Sequence, residues 1–265
     1  MKLINLSSTF IASLILFACN SSDENLTKVI PKEEIKIVEK ISDEEKFMQK
    51  MASIDSIQEL NIMNSLSFNN NEGSTIEATA YFDKNGAEVK ILELFNDSKT
   101  GNQSTTTFYI ANGKKFASRQ ILFDNTTKPT KFIERISFYD STQKVQFTKE
   151  RSAEYEELLN DVTFSPAKLF DCNIDRAMRA LNEQGEFETT FQGFVTTKDL
   201  DYILVGANNE EGFVSSLAII LPDETINTLK SNERKYIGTP LEVEFQNKVN
   251  GNGASYQALM RIRMK

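Results

Sequence analysis

Histidine and tryptophan are absent from the 265-residue chain, cysteine occurs twice and proline five times. Without histidine there is no Ser-His-Asp triad, no imidazole general base and no histidine-held transition metal. The missing tryptophan removes a stacking platform that glycoside hydrolases favour, although a carboxylate pair is defined by distance in space and leaves no sequence signature. Eleven glycines form no phosphate-cradling loop, and Asn250-Gly251-Asn252-Gly253 reads as a hairpin turn. No Gly-x-Ser-x-Gly elbow occurs. Acidic pairs do occur, at Asp199/Asp201, Glu210-Glu211 and Asp223-Glu224, but none has the ligand spacing of an EF-hand. The sequence therefore assigns no metal, no cofactor and no catalytic residue. Basic charge is short as well: 30 Lys and Arg stand against 38 Asp and Glu, a net of −8, which argues against nucleic acid.

What is present is core material. Hydrophobic residues make up 40% of the chain and charged residues 26%, with nineteen Phe and seven Tyr, the composition of a globular body. Cys172, beside Phe170, reads as a small buried apolar residue and not as a nucleophile.

The first residues carry an address. Lys2 opens the chain, Leu3 to Ala18 form an apolar run, and Ala18-Cys19 is a small-residue boundary, the three-part pattern of a secretory signal. The run is short for a membrane-spanning helix. Leu16-Phe17-Ala18-Cys19 resembles the lipobox of bacterial lipoproteins, although Phe17 departs from the usual small or β-branched choice. That resemblance implies cleavage before Cys19, lipidation of Cys19, and a membrane anchor of several acyl chains. With Cys19 acylated, Cys172 has no disulfide partner. Asn20-Ser21-Ser22-Asp23-Glu24-Asn25 resembles the short acidic export signal of Bacteroidota lipoproteins, and implies the outer membrane, surface-exposed. A periplasm-facing lipoprotein is the alternative.

Along the chain, the divisions are 1–18 signal peptide, 19–42 tether, 43–150 a helix plus antiparallel meander, 151–186 a helical joint, and 187–265 a β module. Ser42-Asp43-Glu44-Glu45 signals a helix start, followed by Phe47, Met48 and Met51 at helical spacing. The apolar stripe continues through Ile54, Ile57, Leu60 and Ile62. From Thr75 the period changes to two, with Ile76, Ala78, Ala80 and Phe82 on one face. Asn85-Gly86 and Asn112-Gly113 predict type I′ hairpin turns within a meander of about six strands. Tyr81, Tyr109 and Tyr139 fall opposite the mainly apolar face and are candidates for an aromatic binding patch; half-buried cross-strand pairs are the competing reading. Ser152 to Asn160 predicts one helix. Ser165-Pro166-Ala167 predicts the start of another, with Leu169, Phe170, Ile174, Ala177, Met178 and Leu181 on one stripe.

The last eighty residues predict three strands, a helix and two strands. That order, with Leu229 and Tyr236-Ile237-Gly238-Thr239-Pro240-Leu241-Glu242-Val243 at its centre, resembles the OB-fold modules of bacterial envelope proteins. OB-folds bind nucleic acid or sugar through their second and third strands. Here those strands offer Tyr202 and Phe213 as candidates and no Lys or Arg, and from 183 onward eight basic residues face twelve acidic ones. The fold class expected is α+β, mainly antiparallel β. The function expected is that of a lipid-anchored envelope protein without catalysis: an interaction or accessory subunit, or an immunity or inhibitor lipoprotein, with the membrane and an envelope protein as partners. The alternatives are a small-ligand or glycan-binding lipoprotein using the barrel mouth, and a carboxylate-dependent hydrolase.

Overall fold

A computed structural model describes residues 42–209 and 212–265. Cys19, the signal and most of the tether lie outside the described residues. Helix α1, Asp43–Asp55, opens with a reciprocal cap in which the Ser42 hydroxyl accepts from the Glu45 amide and the Glu45 carboxylate accepts from the Ser42 amide. It stops at Asp55; of the apolar residues beyond it, Ile57 and Leu60 lie in irregular chain and Ile62 in a strand. Asn61–Asn64 forms β1 and Phe68–Asn70 forms β2, both paired with β3, Thr75–Phe82. Ile62 and Met63 are exposed there.

The meander continues through β4 (Glu88–Asp97), β5 (Asn102–Ala111), β6 (Lys114–Asp124), β7 (Lys131–Tyr139) and β8 (Val145–Ala153), each antiparallel to its predecessor. Its two Asn-Gly turns differ. Asn112 and Gly113 both have positive φ, 53° and 69°, as a type I′ turn needs. At the other, only Gly86 (φ 79°) is left-handed. The loop there is longer, five residues between strands against two, closed by the Gly86 amide on the Asp83 carbonyl and by the Asp83 carboxylate accepting from the Asn85 and Ala87 amides. Those bonds hold the Asp83 carboxyl below its ordinary range. No heavy atom lies within 4 Å of a Cβ built on Gly86. Gly86→Ala should therefore cost backbone strain alone, about 1 kcal/mol in a urea melt.

The stretch expected to be a helical joint is largely not helical. Strand β8 runs to Ala153, a 3-10 turn covers Glu156–Asp161, and Ser165–Ala167 is a short strand, β9, on the edge of the sheet. An edge tolerates Pro166, which has no amide to donate. Residues 168–174 then cross the sheet face without secondary structure, so their backbone groups need partners. The sheet supplies them. Ser137 donates to the Phe170 carbonyl, Thr148 accepts the Phe170 amide, Tyr139 accepts the Cys172 amide, and Lys115 donates to the Cys172 carbonyl. Only then does α2, Asp175–Leu181, begin.

The C-terminal part contains β10 (Thr190–Thr196), β11 (Asp201–Gly206), β12 (Phe213–Ile219), α3 (Glu224–Ser231), α4 (Glu233–Tyr236), β13 (Leu241–Val249) and β14 (Ser255–Met264). Strands β10, β11 and β12 are antiparallel neighbours, β12 pairs parallel with β14, and β14 pairs antiparallel with β13. The start of β13 returns to β10 through a Thr190–Pro240 bridge and the Phe191 amide on the Thr239 carbonyl. This is the strand order of an OB-like barrel.

The chain from 41 onward is one compact unit. Strand β2 pairs with β12, joining meander and barrel in one sheet. One core unites Phe68, Ile76, Ile91 and Phe108 of the meander with Ala177 and Leu181 of α2 and Phe191, Ile203 and Leu217 of the barrel. The expected boundaries at 150 and 187 are therefore not seams. A second core lies on the opposite face of the meander, where Met51, Ile54 and Phe47 of α1 pack on Tyr109, Phe116, Ala117 and Phe138.

Candidate functional site

The five aromatic candidates do not form one surface. Tyr81 and Tyr109 share a cross-strand row with Lys90 between them, on the face that α1 covers. Tyr81 is half-buried, with Lys90 over its ring. Tyr109 is buried and donates to Asp55 of α1 at 2.8 Å; burial first, then Asp55, pushes its phenol upward. Tyr139 is buried on the other face, against Ser118 and Cys172, where Lys115 sits over its ring at 3.9 Å. Tyr202 is half-buried in the barrel. Phe213 packs on Phe187, 4.8 Å between ring centroids, and belongs to the shared core. Cys172 is buried, and burial pushes its thiol upward, away from nucleophilic chemistry.

The site the structure does offer lies on the α1 face of the meander, where the helix leaves half of it open. Helix α1 is held over one end by Phe47 against Phe138 (5.3 Å between centroids), by Asp55 with Lys90 and Tyr109, and by an ion pair between Glu44 and Lys149. Two cross-strand rows lie beyond its cover. The first runs Glu77, Leu94, Thr105, Ile121, Glu134, Arg151 from β3 to β8. The second runs Thr75, Asn96, Gln103, Phe123, Phe132. Side chains of both rows, with Ser67 and Glu156, line an open groove of about 470 Å³. A second depression of about 310 Å³ shares Ile121 and Glu156 with it and adds Arg119, Glu134, Glu157, Leu159 and Asn160.

One wall of the groove is built from charge. Glu134 is only 1% exposed, and its two carboxylate oxygens accept from the Arg119 and Arg151 Nε groups at 2.5 Å each. Arg151 also donates to Asn160 Oδ1 at 3.0 Å and stacks over Phe164, so it fastens the Glu156–Asp161 turn, with its buried Leu159, to the sheet. The floor is mixed: Leu94 is 42% exposed and Phe123 and Phe132 pair at 5.1 Å, beside Thr75, Asn96, Gln103 and Thr105. Four glutamates and one arginine line the two depressions. Glu134 is neutralised in place, whereas Glu77, Glu156 and Glu157 take no ion-pair partner among the described residues.

The barrel end has a shallower depression of about 310 Å³ between Thr197–Asp201 and Ile219, Pro222 and Lys230. Here Lys230 and Thr196 hold the Asp201 carboxyl below its ordinary range. Among the described residues no three His, Cys, Asp or Glu side chains gather as a metal site, and no helix is long and apolar enough to cross a membrane. Comparison with protein-family models, with curated proteins and with solved structures finds no match. The molecule is thus defined by its own architecture: a mainly antiparallel α+β body with an OB-like barrel and a half-covered meander.

Proposed function

We propose that the protein is a lipid-anchored interaction protein of the bacterial cell envelope, held in the outer membrane through acylated Cys19, and that the open half of the meander is the face it presents to a protein partner. The observation that carries the reading is the groove itself. Its wall is rigid, fixed by the Arg119–Glu134–Arg151 cluster, while its floor leaves Leu94 and two aromatic side chains accessible. A concave floor that leaves apolar side chains accessible among polar ones is the anatomy of a protein-binding face. The buried carboxylate beside it, Glu134, is closed by two arginines, which suits a structural role better than an acid-base one.

Two measurements test this. Cys19→Ala is expected to move the protein from the membrane to the soluble fraction; retention through a carbonate wash would refute the anchor. Affinity purification of the full chain from gently solubilised native membranes should recover a stoichiometric protein. An empty purification from active cells would refute the interaction reading and favour a ligand at the barrel end.

A further inference from the structure

We infer that the groove receives one short extended segment of a partner protein, basic at both ends and apolar in the middle. The inference rests on the interaction reading above and specifies the chemistry of that partner.

The register sets the dimensions. From Glu77 on β3 to Glu134 on β7 the first row crosses four strand spacings, about 19 Å. An extended chain rises about 3.4 Å per residue, so about six residues span it. The charges stand at the ends of that span. Glu77 marks the β3 end, and Glu156 and Glu157 mark the other, on the turn that forms the wall. Leu94, Ile121, Phe123 and Phe132 occupy the middle, beside the small polar groups of Thr105 and Gln103. Arg119, which lines the neighbouring depression, is committed to buried Glu134, so Glu77, Glu156 and Glu157 leave the rim acidic.

Charge decides among the possible occupants. A second copy of a chain of net charge −8 would bring like charge to an acidic rim. An anionic lipid surface would be repelled for the same reason. A cationic-ended segment meets opposite charge at both ends, and its central side chains cover Leu94 and the Phe123–Phe132 pair.

The test uses the full chain and two synthetic hexapeptides, acetyl-Lys-Val-Thr-Leu-Val-Lys-amide and its counterpart with Glu at both ends, followed by fluorescence anisotropy. The basic-ended peptide should bind more tightly at low salt than at high salt, and the acidic-ended one should bind at least about tenfold more weakly. The pair Glu77→Gln and Glu156→Gln, both exposed and compatible with folding, should weaken the basic peptide by about tenfold. Leu94→Asp should abolish its binding. Equal affinity for the two peptides, no binding of the basic one, or indifference to these substitutions would overturn the inference. Self-association of the chain that Leu94→Asp abolishes would overturn it in favour of a second copy. If a stoichiometric partner is recovered from membranes while the peptide fails, the groove inference falls and the interaction reading stands.

Discussion

Replacing Arg176 with alanine is expected to destabilise the fold by about 3–5 kcal/mol, measured by urea denaturation followed by far-ultraviolet circular dichroism. Glu93 sits in the middle of β4, 3% exposed, on the face that packs against α2. Its two carboxylate oxygens accept from Arg176 at 3.0 and 2.6 Å, and the same guanidinium lies 3.6 Å from the centroid of Phe95. Alanine removes both bonds and leaves a charge in the interior with no partner. The double variant Arg176→Leu, Glu93→Leu removes both ions together and should recover most of the loss, because neither desolvation cost remains. Arg176→Lys should fall between, since an ammonium cannot reproduce a two-pronged contact. If the single variant loses less than about 1 kcal/mol, the pair is not what secures α2. If the double variant is as unstable as the single, the loss comes from helix docking and not from an unpaired charge.

The meander was legible because alternation is local. Ile76, Ala78 and Ala80 are buried on one face, as the period-two pattern requires. The barrel was legible for the same reason, its order of strands and helix being written in successive segments. The turn chemistry was read in part. Asn-Gly marks both hairpins, but at Asn85-Gly86 the deciding residue is Asp83, whose carboxylate accepts two amides of the loop. Asp140 does the same for Thr142 and Lys144, yet the left-handed position there is held by Gln143, φ 67°, where the sequence shows no glycine to signal it.

The stretch from 151 to 186 misled because helical spacing of apolar residues is not unique to helices. Leu169, Phe170 and Ile174 fit a helical stripe, but the segment is drawn across the sheet by hydroxyls on β7 and β8 that lie far off in sequence. The available signal was Ser137 and Thr148, hydroxyl side chains at buried positions of strands. The groove was hidden for a related reason. Glu77, Leu94, Ile121 and Glu134 come into one row only once five strands have adopted their registers, and register is a non-local property. Alternation did place Tyr81 and Tyr109 on one face. Which half of that face α1 would cover depends on contacts such as Asp55 to Tyr109, 54 residues apart.

Phe187→Ala should also cost about 3–5 kcal/mol, and the form of its unfolding curve matters as much as the size of the loss. Phe187 is fully buried in the short turn before β10. Its ring lies 5.1 Å from Phe68 of the β2 strand and 4.8 Å from Phe213 of the barrel. Those two rings belong to the strands that join meander and barrel into one sheet. If the halves folded independently, losing the ring between them would leave the meander's own transition in place and produce a two-step melt. One shared core predicts otherwise. A probe on exposed Lys84 in the meander and another on exposed Asn252 in the barrel should report the same transition, shifted together to lower denaturant. Separate midpoints for the two probes in the variant would show that the core running from Ile76 to Leu217 is not cooperative. Coincident midpoints would mean that the groove on the meander and the barrel behind it are stabilised by the same residues, so that destabilising the barrel also loosens the face offered to a partner.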